Sequence, residues 1–420
     1  MNQNKNSFLF AFVLVTSLFF LWAFLHNTNG VLIPHLKKAL QLSDTGSSFI
    51  DLPVYLGYFL MGIPAGYVMH KFGHKQGIII GLILFAAGAL LFIPAAGSRS
   101  LALFLGALFI QAAGATFLET VANPYMANLG PKETSEQRLN FAQSFNGVGA
   151  FVAPIVGGLF IFSGIEPTTE DVNRMAADGT LNAYLQSEAD TVKIPYLIIA
   201  GVVLLVTICF LLTKLPDIKE SAEADAHTGF SLKVLRHSHV RWAFIAQLFY
   251  VGAQVGVISF FVRFSKQTMN LPEKTAAIWW GSIAMVGFMV GRFAGTFLMR
   301  FIKPQRLLTL YALINVILLT IALTTSGKTA VYAVMAVPFF MSIMFPTIFA
   351  LGIKELGEET KMASSLIVMA IVGGALAPLL MGLISDSTGS MQNGYIIPLL
   401  CFIVVAWYGW RGYKIKQINV

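Results

Sequence analysis

Charged residues are scarce in this 420-residue chain: Asp, Glu, Lys and Arg make up only 11% of it, whereas 56% of the residues are hydrophobic. Soluble globular proteins carry about 25% charged residues. A chain with so little charge cannot cover a surface that faces water on every side. We therefore expect most of the surface to face lipid, with ~20 apolar residues for each crossing of a bilayer.

Cysteine is also scarce, because the chain holds only Cys209 and Cys401, and both lie inside apolar runs. A disulfide framework or a zinc site requires more cysteines at closer spacing. We expect neither, and the sequence indicates no metal site and no cofactor.

Acidic residues are fewer than basic ones, with 20 against 28, which gives a net charge of +8. In a soluble protein this balance would suggest a nucleic-acid partner. In a membrane protein an excess of Lys and Arg is typical of cytoplasmic loops. We therefore predict contact with membrane lipid and no nucleic-acid partner.

Several motifs are missing from the sequence. It has no G-x-x-x-x-G-K-[ST] loop, which argues against ATP-driven transport, and no H-E-x-x-H or G-x-S-x-G motif, which argues against intramembrane hydrolysis. The regularly spaced arginines of a voltage-sensing helix are also missing. We therefore predict a protein that is not an enzyme.

Long apolar runs dominate what is present, and twelve of them are long enough to span a bilayer. The first continues past Trp22 without a small-residue cleavage site, so it is predicted to be a retained span rather than a signal peptide. The runs lie at about 7–34, 48–69, 76–96, 101–129, 139–162, 194–214, 240–264, 275–299, 306–325, 329–352, 362–385 and 392–410.

The basic residues predict the orientation of these spans. With the N-terminus inside, about twice as many Lys and Arg fall on the cytoplasmic side as on the outer side. We therefore expect a multi-pass protein of the plasma (inner) membrane with both termini in the cytoplasm.

The chain divides into two related halves. NPYMANLG (123–130) aligns with FPTIFALG (345–352) at an offset of 222, and GAFVAPIVGG with GGALAPLLMG at 224. The polar segment 215–238 separates a predicted six-helix bundle at 1–214 from a second at 239–420. The predicted fold is all-α, with twelve transmembrane helices in two bundles. Parallel repeats of this kind place a substrate site between the halves near mid-membrane.

Glu119 lies deep in the fourth span, and a charge in hydrocarbon costs at least ~2.5–3.5 kcal/mol. Thr116 and Asn123 share its face of the helix. Burial favours the protonated form of a carboxyl group, so Glu119 is a candidate for holding a proton and releasing it when a cavity opens. The alternative is a packing role within the bundle, and we favour function because intramembrane acids are usually functional.

Polar residues also interrupt the first two spans. His26, Asn27, Thr28 and Asn29 form a dense group in the first span, for which we favour ligand contact over interhelical bonding. Asp51 begins the second span, where a negative charge also suits a helix N-terminus. Whether Asp51 acts on a proton or only at the interface is left open.

Amide and aromatic side chains form stripes on two further spans: Asn140, Gln143 and Asn146 on the fifth, and Gln247, Tyr250 and Gln254 on the seventh. Such stripes suit a polyhydroxylated solute, because amides give and accept hydrogen bonds and rings cover the apolar faces of a sugar. Interhelical bonding is the alternative.

Arg292 is a permanent charge in the eighth span and needs a carboxylate, a carbonyl or water nearby. A substrate or gating role and a fixed structural ion pair both remain open for it.

The sequence resembles the fucose–galactose–glucose:proton symporter family of the major facilitator superfamily. The resemblance rests on FFLWAFLHNTNGVLIPHLKKAL, YLGYFLMGIPAGYVMHKFG, FLETVANPYMANLGP, RLNFAQSFNGVGA, GRFAGT and FPTIFALGIKELGEETKMASSLIVM, which follow one another along nearly the whole chain. It implies uptake of a monosaccharide, driven by a proton gradient through alternating access. The fold works as a monomer, and the oligomeric state is left open.

The resemblance also implies roles for individual residues. Glu119 matches the family's acid of the fourth helix, linked to substrate binding and protonation. Asn27, Gln143 and Asn146 match polar positions of the cavity, and Trp22 matches an aromatic residue near the site.

One departure from the family pattern concerns proton coupling. The family has Asn-Asp in the first helix, and that Asp is regarded as the coupling carboxylate, whereas this sequence has Asn29-Gly30. We hypothesise that Asp51, Glu119 or His26 carries the proton instead. The alternative is an uncoupled or differently coupled sugar facilitator. A receptor would need a signalling domain, and drug extruders prefer cavities with few amides, so both are disfavoured.

Overall fold

The computed structural model describes residues 2–42, 50, 52–161, 169–216 and 231–415. Almost all of these residues are helical, as expected for backbone in lipid, where every N–H and C=O needs a partner within the protein.

Twelve helical spans follow one another along the described residues, which confirms the predicted fold class. The first six are α1 (Asn2–Ala39), α2 (52–72), α3 (74–98), α4 (Leu101–Asn128), α5 (Ser135–Ile161) and α6 (Lys193–Leu212). The second six are α7 (Ser238–Met269), α8 (Glu273–Leu298), α9 (Pro304–Thr324), α10 (Gly327–Gly352), α11 (Gly357–Thr388) and α12 (Met391–Gly412).

Helices α2 and α3 belong to one nearly continuous helical segment, Leu52–Ser98, which is interrupted only at Gly73. Gly73 has φ 81° and ψ 173°. This backbone conformation is open to glycine at little cost and is unfavourable for residues with a Cβ. The chain can therefore reverse between two membrane spans without a longer loop.

The connection between α5 and α6 contains two short helices, Thr169–Ala177 and Leu181–Asp190, in a segment that reads in the sequence only as acidic and polar. The second of these helices docks on the C-terminal end of α1. Its Glu188 is 2% exposed, and a carboxylate oxygen lies 3.2 Å from Nζ of Lys38. Ten residues are too few for a periodic apolar pattern to predict such a helix.

A proline at matching positions of α4 and α10 frees a backbone carbonyl in each helix. Because proline has no N–H, Pro124 leaves the carbonyl of Thr120 without its helical donor, and Pro346 does the same to Ser342. The two prolines are 222 residues apart, which is the offset of the sequence repeat. Side chains from neighbouring helices donate hydrogen bonds to both carbonyls.

The carbonyl of Thr120 accepts a hydrogen bond from Ser364 Oγ of α11 at 2.7 Å, so this bond joins the two sets of six helices. The amide of Asn140 on α5 in turn donates to Thr347 Oγ1 of α10 at 3.1 Å. These two contacts relate the repeats to one another, because α5 corresponds to α11 and α4 to α10.

We call this contact between the first six and the last six helices the seam. An ion pair and an amide add to the seam at the end of the bundle that carries both termini. Lys354 Nζ lies 2.7 Å from Oε1 of Glu136, which is almost fully buried. Gln137 Nε2 donates to the carbonyl of Thr296 at 3.4 Å. In this conformation the first six helices and the last six are therefore in polar contact at that end.

Close packing of α3 against α4 provides the first prediction. A Cβ at Gly114 would lie 2.5 Å from the backbone nitrogen of Phe85, whereas a Cβ at Gly106 on the same helix would meet nothing within 4 Å. We expect Gly114→Ala to lose about 1–3 kcal/mol through overpacking. Gly106→Ala should be neutral or gain about 0.5–1 kcal/mol, because glycine weakens a helix interior.

The measurement is the unfolding midpoint of each purified variant in detergent. Equal midpoints for Gly114→Ala and Gly106→Ala would show that the close approach of α3 and α4 is not a constraint on stability.

Candidate functional site

A cavity of about 200 Å³ lies between the two sets of six helices. Its lining combines one carboxyl group, several amides, a guanidinium and aromatic rings. The lining side chains used below are Trp22, Asn27, Tyr55, Tyr58, Glu119, Gln143 and Asn146 from the first six helices, and Gln254, Phe288, Arg292 and Phe345 from the last six.

Among the described lining residues, Glu119 carries the one carboxyl group. Its side chain is 7% exposed, and the hydroxyl of Tyr58 and the indole of Trp22 face it. Among the described residues, Oε2 of Glu119 and Nε1 of Trp22 have no hydrogen-bond partner of good geometry. An unpaired buried acceptor is costly, so this carboxyl is suited to take a proton or a hydroxyl donor from a solute.

The amides of the α5 stripe divide into two kinds. Gln143 Nε2 donates to Asn123 Oδ1 at 2.9 Å, and Asn123 Nδ2 donates to the Glu119 carbonyl at 2.8 Å. Asn123 is fully buried behind the lining rather than in it. Asn146 is half-buried, lines the cavity, and makes no hydrogen bond to the part of the protein that the structure describes. Asn146 is therefore open to a ligand, whereas Asn123 and Gln143 support each other.

The α7 stripe divides in the same way. Gln254 lines the cavity, half-buried and without a hydrogen bond to any described residue. Tyr250 is fully buried behind the lining, with its ring centroid 6.5 Å from that of Phe345. Gln247 is also fully buried and lies away from the cavity. The sequence spacing predicted one face for all three, but helix packing brings only Gln254 to the cavity.

Arg292 is held by backbone carbonyls and an aromatic ring. It is 2% exposed; Nε donates to the carbonyl of Ser342 and Nη1 to that of Gln143, each at 2.6 Å. Its guanidinium lies 4.5 Å from the ring centroid of Phe288. Within the described chain no salt bridge is formed by this arginine, so a carbonyl cage, rather than a carboxylate, holds the charge. The guanidinium thereby joins α8 to both α5 and α10.

Asn27 occupies the wall formed by α1, where its Nδ2 donates to the carbonyl of Ala23 at 2.8 Å. Two further candidates for proton coupling were Asp51 and His26. Asp51 lies outside the described residues, and so does the side chain of His26. Their coupling roles stay predictions.

Four aromatic residues of the lining were not assigned from the sequence as binding residues: Tyr55, Tyr58, Phe288 and Phe345. The two tyrosines lie one and two helical turns after Asp51 in the sequence, and that spacing is the signal that could have identified them. Phe288 precedes Arg292 by one helical turn, and that spacing is the signal that could have identified it. Phe345 has no such signal, because phenylalanine is common throughout the chain.

Taken together, the lining offers acceptors, donors and aromatic walls around a small space that is enclosed by both sets of helices. The molecule is therefore a polytopic helical membrane protein with a polar solute cavity at its centre.

Comparisons with known proteins agree with this class. The family model described as Major Facilitator Superfamily matches residues 9–371. The chain is 42% identical to the L-fucose-proton symporter of Escherichia coli strain K12 over 407 residues, covering 96% of this chain and 92% of that protein. It is 40% identical to the glucose/galactose transporter of Brucella abortus biovar 1 strain 9-941 over 420 residues, covering 98% and 96%.

Among solved structures, the chain matches the major facilitator superfamily transporter FucP in the outward conformation. The TM-score is 0.89 at 40% identity, over 98% of this chain and 100% of that one. The chain belongs to the Major Facilitator Superfamily, as the sequence resemblance implied.

The division of the amides provides the second prediction. We expect Gln143→Met to destabilise the protein by about 1–3 kcal/mol, because it leaves the buried Oδ1 of Asn123 without a donor. Asn146→Leu is a change of similar size at an amide that bonds no described residue, and it should leave stability nearly unchanged.

The measurement is the unfolding midpoint of each variant in detergent without sugar. If Asn146→Leu were as destabilising as Gln143→Met, Asn146 would be a structural amide rather than one open to a ligand.

Proposed function

We propose that this protein is a secondary active transporter that takes up a monosaccharide of the fucose, galactose or glucose type by proton symport. The observation that carries the proposal is the buried carboxyl of Glu119, with one unpaired oxygen, in a cavity that also presents unbonded amides. The names of the relatives, which include fucose-proton symporters and glucose/galactose transporters, support the same substrate class.

Hydrogen bonds to the sugar are assigned first to Asn146 and Gln254, whose amides bond nothing in the described protein. The Oδ1 of Asn27 and the amide of Gln143 lie in the same lining and complete a set of donors and acceptors for hydroxyl groups. A buried polar group without its partner is costly, so a sugar that satisfies all of these groups binds better than one lacking a hydroxyl.

Aromatic rings in the lining are assigned to the apolar C–H faces of the sugar ring. Trp22 beside Glu119 on one wall and Phe288 and Phe345 on the other provide such surfaces. Asn123 and Tyr250 act from behind: Asn123 positions the amide of Gln143, and Tyr250 packs its ring against the edge of Phe345.

Glu119 is the proton carrier in this proposal. A closed apolar surrounding favours its neutral form, and contact with water on opening favours the ionised form. A facilitator without coupling is the second candidate. The observation that favours it is Gly30, which stands where the family resemblance implies an aspartate.

Alternating access requires the seam between the halves to open. We propose that residues 1–214 and 239–420 act as two bundles joined by 215–238, with both termini in the cytoplasm and the monomer as the working unit. Opening towards the cytoplasm must then break the Lys354–Glu136 ion pair and the Asn140–Thr347 hydrogen bond.

The seam provides the third prediction. Removing one partner of a buried ion pair leaves the other charge uncompensated, at a cost of about 3–5 kcal/mol for fully buried pairs. Because Lys354 is partly exposed, we expect Lys354→Gln to raise the cytoplasm-open population by about tenfold, which corresponds to a smaller free-energy change of about 1.4 kcal/mol. The double exchange Glu136→Lys with Lys354→Glu should restore the closed population.

Distances between spin labels at positions 132 and 303 report this opening, in a background with Cys209 and Cys401 replaced by alanine. Both labelled positions are exposed and lie on opposite sides of the seam. If Lys354→Gln left the distance distribution unchanged, the ion pair would not control the opening of the seam.

Transport itself is the fourth prediction. Proteoliposomes are supplied with labelled hexoses, 6-deoxyhexoses and N-acetylhexosamines, with and without an inward proton gradient. We expect accumulation of a hexose or 6-deoxyhexose above equilibrium only with the gradient. Glu119→Gln should lose accumulation, because an amide cannot carry the proton, while exchange of sugar at equilibrium continues.

The matched control is Glu273→Gln, at an exposed carboxylate that pairs with Lys266 at 2.7 Å. Equilibration that ignores the gradient in the unaltered protein would establish the facilitator. Gradient-driven accumulation that survives Glu119→Gln would move the proton to another group, with Asp51→Asn as the next variant. Failure of every sugar to enter would contradict the substrate class.

A further inference from the structure

A second and larger cavity, of about 410 Å³, lies on the seam between α5 and α8 at the end of the bundle that carries both termini. It is separate from the solute cavity, since the two share no lining residue. We name it the α5–α8 groove; its lining includes Phe12, Gln137, Arg138, Phe141, Phe293, Thr296, Phe297 and Arg300.

Phenylalanine rings from both halves form the walls of the groove. Phe12 stacks on Phe141 with ring centroids 5.9 Å apart on one side, and Phe293 and Phe297 stand on the other. Phe141 and Phe293 are each 38% exposed and Phe297 is 55% exposed. In a membrane protein this apolar surface faces lipid, and the concave shape suits an acyl chain.

The rim of the groove is basic. Arg300 is exposed, and its guanidinium lies over the ring of Phe297, at 5.6 Å from the centroid. Lys303 follows in the connection to α9 and Arg306 in the first turn of α9, and the stretch 300–306 contains no acid. The guanidinium of Arg300 is therefore free to bind an anion.

Among the described residues, no acid near the groove forms an ion pair with Arg300. Arg138 donates to the carbonyls of Met126, Ala127 and Pro131, and the described carboxylate that acts on it is that of Glu136. Glu136 is already paired with Lys354. Glu133 is a further acid among the described residues at this end, and it is exposed beside Lys132 on the turn before α5.

We propose that the α5–α8 groove binds one anionic phospholipid, with its phosphate on Arg300 and an acyl chain against the phenylalanine walls. Basic pockets between transmembrane helices on the cytoplasmic side are suited to anionic headgroups. The inference rests on the proposed orientation, with the termini in the cytoplasm, and not on the identity of the sugar or on the proton.

Occupancy of the groove is linked to the seam. The two walls belong to different halves, and its floor includes the bond from Gln137 to the carbonyl of Thr296. Separation of α5 from α8 would divide the groove between the halves. A lipid that contacts both walls binds the closed seam better than the open one, and therefore favours the closed conformation.

Native mass spectrometry of the purified protein in detergent tests this site, with phosphatidylglycerol as the probe and phosphatidylcholine of the same acyl chains as the comparison. We expect one phosphatidylglycerol to bind more tightly than phosphatidylcholine. Arg300→Gln should weaken the binding of phosphatidylglycerol about fivefold, as expected for the loss of one basic residue near a headgroup. Arg300→Lys should retain most of the binding.

Arg411→Gln is the matched control, because Arg411 is an exposed arginine at the same end that lies over Trp410, outside the groove. Phe297→Ala should weaken the binding of both lipids, since it removes part of the apolar wall. Equal binding of the two lipids, or equal loss with Arg300→Gln and Arg411→Gln, would overturn the proposal. This experiment measures lipid binding, so its result does not depend on whether the protein transports a sugar.

Discussion

Hydrogen bonding of backbone carbonyls inside the membrane is the constraint on which the rest of this structure depends. In lipid there is no water to satisfy a carbonyl that its own helix leaves unpaired. Pro124 and Pro346 free two such carbonyls at corresponding positions of the repeat. One is taken by Ser364 across the seam and the other by Arg292 in the wall of the cavity. These two prolines therefore lead to contacts that hold the parts of the bundle together.

Arg292 connects the solute cavity to the seam. Its guanidinium lines the cavity, and the same group bonds the carbonyl of Gln143 on α5. The side chain of Gln143 supports Asn123, which in turn bonds the carbonyl of Glu119. Of these bonds, the one from Arg292 to the Gln143 carbonyl crosses between the halves. A chain of hydrogen bonds therefore runs from Arg292 in the second half to the backbone of Glu119 in the first.

Much of the fold could be predicted because lipid imposes a simple requirement on composition. Runs of about 20 apolar residues predict spans, and all twelve are present. The helix Leu181–Asp190 escaped prediction because its docking depends on contacts with other parts of the chain, such as the ion pair between Glu188 and Lys38, rather than on periodicity. The repeat at an offset of 222 pointed to two related halves, but spacing alone does not reveal that its prolines free carbonyls for partners on other helices.

The candidate site was predicted less completely. Glu119, Asn146 and Gln254 face the cavity as their polarity within apolar spans indicated, whereas Asn123 and Tyr250 lie behind it. A helical stripe covers a wide arc, and small rotations decide which members reach a cavity and which bond a neighbouring helix.

The sequence by itself determined the membrane class, the number of spans, the relation between the halves and the presence of a buried acid among amides. Composition and period decide these features, because each depends on residues close together in the chain. Only the tertiary structure decided which amides stay unbonded, that carbonyls rather than a carboxylate hold Arg292, and that α5 and α8 enclose a basic groove. Those features depend on atoms brought together from different helices, and their distances are set by packing.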